Sequence, residues 1–337
     1  MSTSLAHVVE GLGAAGLAVR TDAPFGALTT YAVGGRAAAM VEVTGTEDVS
    51  AVAALTSKHP GIEVFVLGNG SNTLVADSGF EGLVVRLRPP ADPDAARVSV
   101  IDGLVEVQSW LPLPVLARRS VAAGGCGLEW AVGVPGTVGG AVRMNAGGHG
   151  AETIDALDSA EVVSLRSGER RWLAADVLGL HFRGSGLADW QVVTAARLRV
   201  SDPRGHDCAG EIAAIVAWRR EHQPGGRNAG SVFVNPAPGE GSSGALIDSC
   251  GLRGAAIGGA TVSEKHANFV QAGPGASAAD VLALMKLVQE RVLTATGQRL
   301  ASETRLVGFS PADTACFRRE ENAGPSAALS RALGEVA

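Results

Sequence analysis

The chain has 337 residues, 46% of them hydrophobic and 18% charged, with a formal net charge of -6. That length suggests about two domains, and the absence of any Lys/Arg run argues against the basic stripe of a nucleic-acid binder. No stretch approaches the ~20 consecutive apolar residues of a membrane span.

The N-terminal MSTSLAHVVEGLG lacks a basic region followed by an apolar run, so a cytoplasmic protein is expected. The cysteines Cys126, Cys208, Cys250 and Cys316 form no CxxC pair and no zinc spacing with histidine. Free buried thiols in a reducing compartment, and no metal, are the expectation.

In chain order, residues 1–20 read as a helix with Leu5, Val8, Val9 and Leu12 apolar. TTYAVGG and a strand from Ala38 to Val43 follow. Thr46 opens a helix that ends near Pro60. Val64 to Leu67 is a short strand running into GNGSN, and Leu83 to Leu87 is another. Residues 89–94 form a polar break. Val98 to Val107 alternates as a strand does, and Val115 to Ala123 reads as a helix stopped by Gly124 and Gly125. Ala160 to Leu165, Arg171 to Leu173 and Val192 to Val200 resemble an antiparallel meander. A third block starts with a helix from Gly210 to Arg220 and includes another near Ala245 to Cys250. After a strand-rich run to Gln271, Ser277 to Asp280 has a capping pattern before an amphipathic helix from Val281 to Leu293. LASETRLVGF forms a last strand, and residues 310–337 are expected to be a mobile tail. Helices and strands mix without strict βαβ alternation, so the fold class is α+β.

Several segments invite a chemical reading. GLGAAG at 11–16 matches GxGxxG, but a helical pattern precedes it where the dinucleotide fingerprint needs a strand, so it is read as a chance match. VLGNGSNT at 66–73 runs from a strand into a loop of small residues, which is either an anion-binding nest or an ordinary glycine turn. GVPGTVGGAVRMNAGGHG at 133–150 holds seven glycines in eighteen residues. A backbone surface wrapped round a large cofactor explains that density better than a set of turns. Ser231 in GSVFVNP has no GxSxG elbow around it, so a hydrolase triad is unsupported. Arg183 in FRGS, and Glu303 beside Arg305 in SETRLVG, would each pass alone as solvated charges.

Taken in order, these pieces resemble the UDP-N-acetylenolpyruvoylglucosamine reductase family. They are TTYAVGG (29–35), LGNGSN (67–72), GLEWAVGVPGTVGGAVRMNAGGHG (127–150), FRGS (182–185), GSVFVNP (230–236), GALIDSCGLRGAAIGGATVSEKHANF (244–269) and SETRLVG (302–308). The resemblance covers roughly residues 20 to 309, and so many ordered motifs are far more specific than any one of them. It implies an FAD-binding domain of the vanillyl-alcohol-oxidase (PCMH) type at 20–205, made of two α+β subdomains at about 20–90 and 91–205. A C-terminal α+β substrate domain would follow at 206–309.

The same resemblance implies noncovalent FAD, NADPH as reductant, and a UDP-sugar enolpyruvyl ether as substrate, in the synthesis of a bacterial cell-wall precursor. NADPH and the sugar nucleotide would visit one site in turn. Arg183 and Glu303 match the pair that orients the substrate carboxylate and stabilises charge developing beside it. Ser231 matches the proton donor, and Asn235 a position near the diphosphate. Gly68, Asn69, Gly70, Ser71 and Asn72 match pyrophosphate contacts. Gly133, Thr137, Gly139, Gly140, Asn145 and Ala146 match flavin and ribityl contacts. Ser263, Lys265 and His266 are read as structural, with Ala267 and Phe269 in the core. The loop-less subtype is expected, because residues 200–231 leave no room for an extra Tyr-bearing loop, and a monomer is expected.

Departures from the family pattern are Phe182 where Tyr is usual, His222 where Lys or Arg is usual, and Arg143 where an aromatic or small residue is common. They motivate a second reading, a flavin reductase of the same fold acting on another sugar nucleotide. Retention of Arg183, Ser231 and Glu303 together argues against a non-catalytic flavin protein.

Overall fold

The computed structural model describes residues 1–92, 97–202, 204–237, 239–319 and 326–335. Two residues of the expected polar break, 93 and 94, and residues 320–325, 336 and 337 of the expected tail lie outside these.

The first lobe begins with helix α1 (Thr3–Ala14), whose Leu5, Val8 and Leu12 face the core. The helix expected over 1–20 stops early: Gly16 takes a φ of 81°, and the chain turns into strand β1 (Ala18–Ala23). GLGAAG therefore lies at the end of a helix, as a chance match should. Strand β2 (Ala37–Val43), helix α2 (Thr46–Thr56), β3 (Val64–Leu67), β4 (Thr73–Val75) and β5 (Phe80–Leu87) follow. The sheet order is β1-β2-β5-β3, with β2 and β3 both parallel to β5. Acidic Glu47 and Asp48 in the first turn of α2 favour the helix dipole, and Asp48 also accepts from the Thr44 N–H at 2.8 Å.

The second lobe holds β6 (Val100–Ile101), β7 (Leu104–Gln108), α3 (Leu113–Ala122), α4 (Val138–Met144), β8 (Gly147–Gly148), β9 (Ala151–Glu152), α5 (Thr153–Ala156), β10 (Leu157–Ser164), β11 (Arg170–Ala174) and β12 (Gln191–Arg199). The single strand expected over 98–107 is a hairpin, because Asp102 and Gly103 both have positive φ, the geometry of a two-residue turn. The main sheet is antiparallel in the order β11-β10-β12-β7-β6. α2 packs on this sheet as well, and Glu161 on β10 accepts from Thr46 of α2 at 2.9 Å.

The glycine-dense segment is not all loop. Val138, Ala141 and Val142 are buried, and their spacing makes α4 a helix, capped by Thr137 Oγ1 accepting from the Gly140 N–H. Gly139 is needed where this helix meets the strand, since a Cβ there would lie 2.9 Å from Ser109 Cβ.

Helix α6 (Cys208–His222) sits on α3 and on the 3-10 turn at Glu129–Gly133, with Ile212 and Ile215 in the core of the first two lobes. The expectation of free thiols fails here. Cys126 and Cys208 are disulfide-bonded, which clips the start of α6 to the chain leading into Glu129, while Cys250 and Cys316 are free. The sequence spacing of 82 residues hides a Cα separation of 6.0 Å.

The last lobe is α7 (Ser243–Ser249), β13 (Ala256–Ile257), β14 (Ala260–Val262), β15 (Val270–Ala272), α8 (Ala278–Thr296) and β16 (Arg305–Val307). The capping box of Ser277 and Asp280 starts α8, and Gly297 in a left-handed conformation ends it. β16 does not join the small sheet but pairs in parallel with β4 of the first lobe. Tyr31, Val33 and Leu74 complete the third lobe's core from the first.

The described part of the 310–337 segment is docked, in contrast to the mobile tail expected. α9 (Pro311–Thr314) and a 3-10 turn at Ala315–Phe317 bury Phe317 in the third core. α10 (Ala327–Ala332) buries Leu329, and Leu333 after it, against the second lobe. Glu335 accepts from Gln191 Nε2 at 2.9 Å and from Ser164 Oγ at 2.6 Å. Apolar residues four apart in an Ala/Ser-rich stretch suffice for such docking, although composition alone suggests disorder. Among the described residues no helix is long and apolar enough to cross a membrane.

Candidate active site

A cavity of about 530 Å³ opens where the three lobes meet. Strand β3 delivers the loop 68–72 to one wall, and the 3-10 turn with α4 delivers 133–147 to another. The third lobe brings Ser231, Asn235 and Glu303.

The first wall is built from main chain. Among the described residues, the amide N–H groups of Asn69, Gly70, Ser71 and Asn72 donate to no protein acceptor. Amides in this state, lining a cavity, suit an anion such as a pyrophosphate. Gly68 lets this loop approach α4, because a Cβ there would lie 2.6 Å from Thr137 Oγ1. Gly140 differs: a Cβ there would meet only Thr137 Oγ1, at 3.5 Å, and would otherwise occupy the cavity. This cradle fits the flat or phosphorylated parts of a dinucleotide cofactor that need close backbone approach.

The expected residues Gly133, Thr137, Gly139, Ala146, Phe182 and Arg183 also line the cavity. Asn145 does not. It is buried with a φ of 40° as the left-handed cap of α4. Its Nδ2 donates to Glu152 Oε2 at 2.9 Å and to the His181 carbonyl at 3.1 Å, and its Oδ1 accepts from the Ile154 N–H at 2.9 Å. With each of its polar atoms engaged inside the protein, this side chain holds Glu152 in place instead of facing the cavity.

Arg183 gathers the charged centre. Its Nη1 lies 2.7 Å from Glu152 Oε1, its Nε 3.3 Å from Glu303 Oε1, and its Nη2 donates to the Gly147 carbonyl. Burial pushes the Glu303 carboxyl up to about 7; Arg183 and Arg319 offset part of this and Glu152 adds to it. The Glu303 N–H donates to the Val232 carbonyl at 2.8 Å, so Glu303 lies one residue's reach from Ser231. Asn268 fixes that segment, donating to the Phe233 carbonyl at 2.8 Å and accepting from the Phe233 N–H at 2.9 Å.

Sequence reasoning missed a second charged group. Asp189 Oδ1 accepts from Arg305 at 2.7 Å and from Arg143 at 3.0 Å, and all three line the cavity. Burial would raise Asp189, but the two arginines outweigh it and hold its carboxyl below the ordinary range. Burial and the like charge of Arg305 push Arg143 down to about 10 against the pull of Asp189. His222 turns out not to line the cavity; it stacks on Trp218 with ring centroids 4.6 Å apart. Arg219, one turn earlier on α6, reaches the wall instead, its Nε donating to Gln223. Among the VSEKHANF residues, Ser263 accepts from the Lys265 and His266 N–H groups, and Ala267 and Phe269 are buried, in keeping with a structural role.

Residues 222–307 match the family model of the UDP-N-acetylenolpyruvoylglucosamine reductase C-terminal domain, and residues 37–174 match that of an FAD binding domain. The UDP-N-acetylenolpyruvoylglucosamine reductase of Gloeobacter violaceus is 43% identical over 83% of this chain and 93% of its own length. The chain belongs to this reductase family. The reductase of Rubrobacter xylanophilus is 37% identical over 86% of this chain and 96% of its own. The solved structure of the Thermus caldophilus reductase covers 86% of this chain and 98% of its own, at 32% identity and a TM-score of 0.70. The chain is accordingly an FAD-dependent oxidoreductase of α+β fold, with an FAD-binding domain of the vanillyl-alcohol-oxidase type.

Proposed function

We propose that this reductase converts the enolpyruvyl ether of UDP-N-acetylglucosamine to UDP-N-acetylmuramate, with NADPH as reductant, as a cytoplasmic monomer supplying peptidoglycan precursor. The observation that carries this reading is the convergence of Arg183, Glu303 and Ser231, which are far apart in sequence, on one cavity beside an amide-lined glycine cradle.

Residues 20–205 are assigned to FAD and 206–309 to the substrate, although α6 packs on the former. Bound FAD would supply a two-electron carrier between the nicotinamide and the enolpyruvyl group. Loop 68–72 holds the pyrophosphate through its amides, and Gly133, Thr137, Gly139, Gly140 and Ala146 shape the flavin wall. The lining contains no histidine, cysteine or tyrosine among the described residues, which supports noncovalent attachment.

Arg183 takes the substrate carboxylate and stabilises the negative charge that develops next to it, and Glu303, whose carboxyl burial raises to about 7, adds to this by donating when it carries a proton. Fixed charges in a site closed to water are worth several kcal/mol to such a step. Ser231 gives its hydroxyl proton to the substituted carbon. Asn235 and Arg219 take the diphosphate side. Arg219 answers the loss of a basic residue at His222.

The test is steady-state turnover of the holoenzyme with NADPH and the enolpyruvyl substrate, with the product identified by a mass two hydrogens higher. Background turnover by a yellow, FAD-replete protein would defeat the substrate assignment.

A further inference from the structure

Beyond the span matched by the family's C-terminal domain, the chain returns to the catalytic centre. Phe317 anchors it: the ring is buried with its centroid 6.3 Å from that of Phe233, and its carbonyl accepts from the Ser302 N–H at 3.1 Å. Gln289 Nε2 donates to the neighbouring Cys316 carbonyl at 2.8 Å. Two residues past this anchor, Arg319 Nη1 donates to the Phe182 carbonyl at 2.6 Å.

That carbonyl belongs to the peptide joining Phe182 to Arg183. Arg183 has a φ of 57°, a left-handed conformation that a long side chain holds only when its surroundings enforce it. On one side the pair of hydrogen bonds between His181 and Gly184 closes the turn. On the other, Arg319 ties down the Phe182 carbonyl.

We propose that Arg319 is a positioning residue of the reductase site, locking the Phe182–Arg183 peptide and placing a second positive charge beside Glu303. The inference rests on the function proposed above. The charged groups facing Glu303 are Arg183, Arg319 and Glu152. Arg319 acts on Glu303 in the same sense as Arg183, favouring the ionised carboxylate against its burial. A segment outside the shared domains thus finishes a site to which the motifs contribute Arg183 and Glu303.

The test compares Arg319→Ala and Arg319→Lys holoenzymes with wild type in two measurements. The first is the ¹³C carboxyl titration of Glu303 in glutamate-labelled protein, its resonance assigned by loss in Glu303→Gln. The expected result is a titration moved to higher pH in Arg319→Ala and returned towards wild type in Arg319→Lys. The second is stopped-flow reoxidation of the reduced enzyme by the enolpyruvyl substrate. It should slow by roughly tenfold in Arg319→Ala, the scale of one lost hydrogen bond from a charged group, with reduction by NADPH left near wild type. A Glu303 titration and reoxidation rate unchanged in Arg319→Ala would overturn the proposal, whatever happens to melting temperature. The titration needs no turnover, so failure of the wild type to reduce the substrate would count against the proposed function alone.

Discussion

The side-chain amide of Asn72 donates to the main-chain carbonyl of Glu303 at 3.0 Å, across 231 residues of sequence. The Arg305 N–H returns a bond to the Asn72 carbonyl at 2.9 Å, and the parallel pairing of β16 with β4 continues from there. The loop assigned to the FAD pyrophosphate and the segment bearing Glu303, the carboxylate proposed to act in catalysis, are therefore one hydrogen-bonded unit. Displacement of either must move the other.

Glu303 should leave a mark on the pH dependence of stability. Its native carboxyl is raised from an ordinary 4.5 to about 7. The native state then holds a proton that the unfolded chain has lost, so this group's contribution is full below 4.5 and disappears as pH rises through 7. Urea midpoints measured from pH 4.5 to 8 should fall less steeply in Glu303→Gln than in wild type. Parallel curves would show that the carboxyl is not raised.

Ser231→Ala should leave reduction of the enzyme by NADPH near wild type and slow reoxidation by the enolpyruvyl substrate by roughly 10²–10⁴, the usual worth of a positioned proton donor. Stopped-flow absorbance separates the two halves. Equal losses in both would mean that Ser231 shapes the cavity without donating a proton.

Gly140→Ala tests the cradle. Alanine suits a helix better than glycine, and the added Cβ meets only Thr137 Oγ1 at 3.5 Å, so the apo-protein should be at least as stable as wild type. FAD affinity should fall by about tenfold or more, because the methyl group occupies the cavity. Fluorescence titration of apo-protein with FAD measures this, and wild-type affinity would remove Gly140 from the cofactor wall.

The Cys126–Cys208 pair predicts two titratable thiols, Cys250 and Cys316, in protein denatured without reductant, and four after reduction. Breaking a bridge across 82 residues should cost roughly 2–4 kcal/mol of stability. Four thiols in the unreduced, air-equilibrated protein would show that the pair stays open.

Much of the local structure was legible without coordinates. Val64 to Leu67 is a strand because its short apolar run ends in glycine and asparagine. α8 starts at Ser277 because a serine and an aspartate three residues on satisfy the free amides of a first turn. The glycine-dense segment at 133–150 announced a cofactor because close backbone approach leaves few alternatives to glycine. These signals act within a few residues, so the chain carries them openly, and the ordered motifs were enough to place it in a family. What only the tertiary structure decided lies in contacts between distant segments. Asn145 faces inward to Glu152, Asp189 joins Arg143 to Arg305, and Cys126 meets Cys208. Arg319 reaches Phe182 from a stretch whose composition suggested disorder. No periodicity encodes such pairs, because the direction of each side chain depends on how sheets and helices pack, and burial then selects the partners that leave the fewest polar groups unsatisfied.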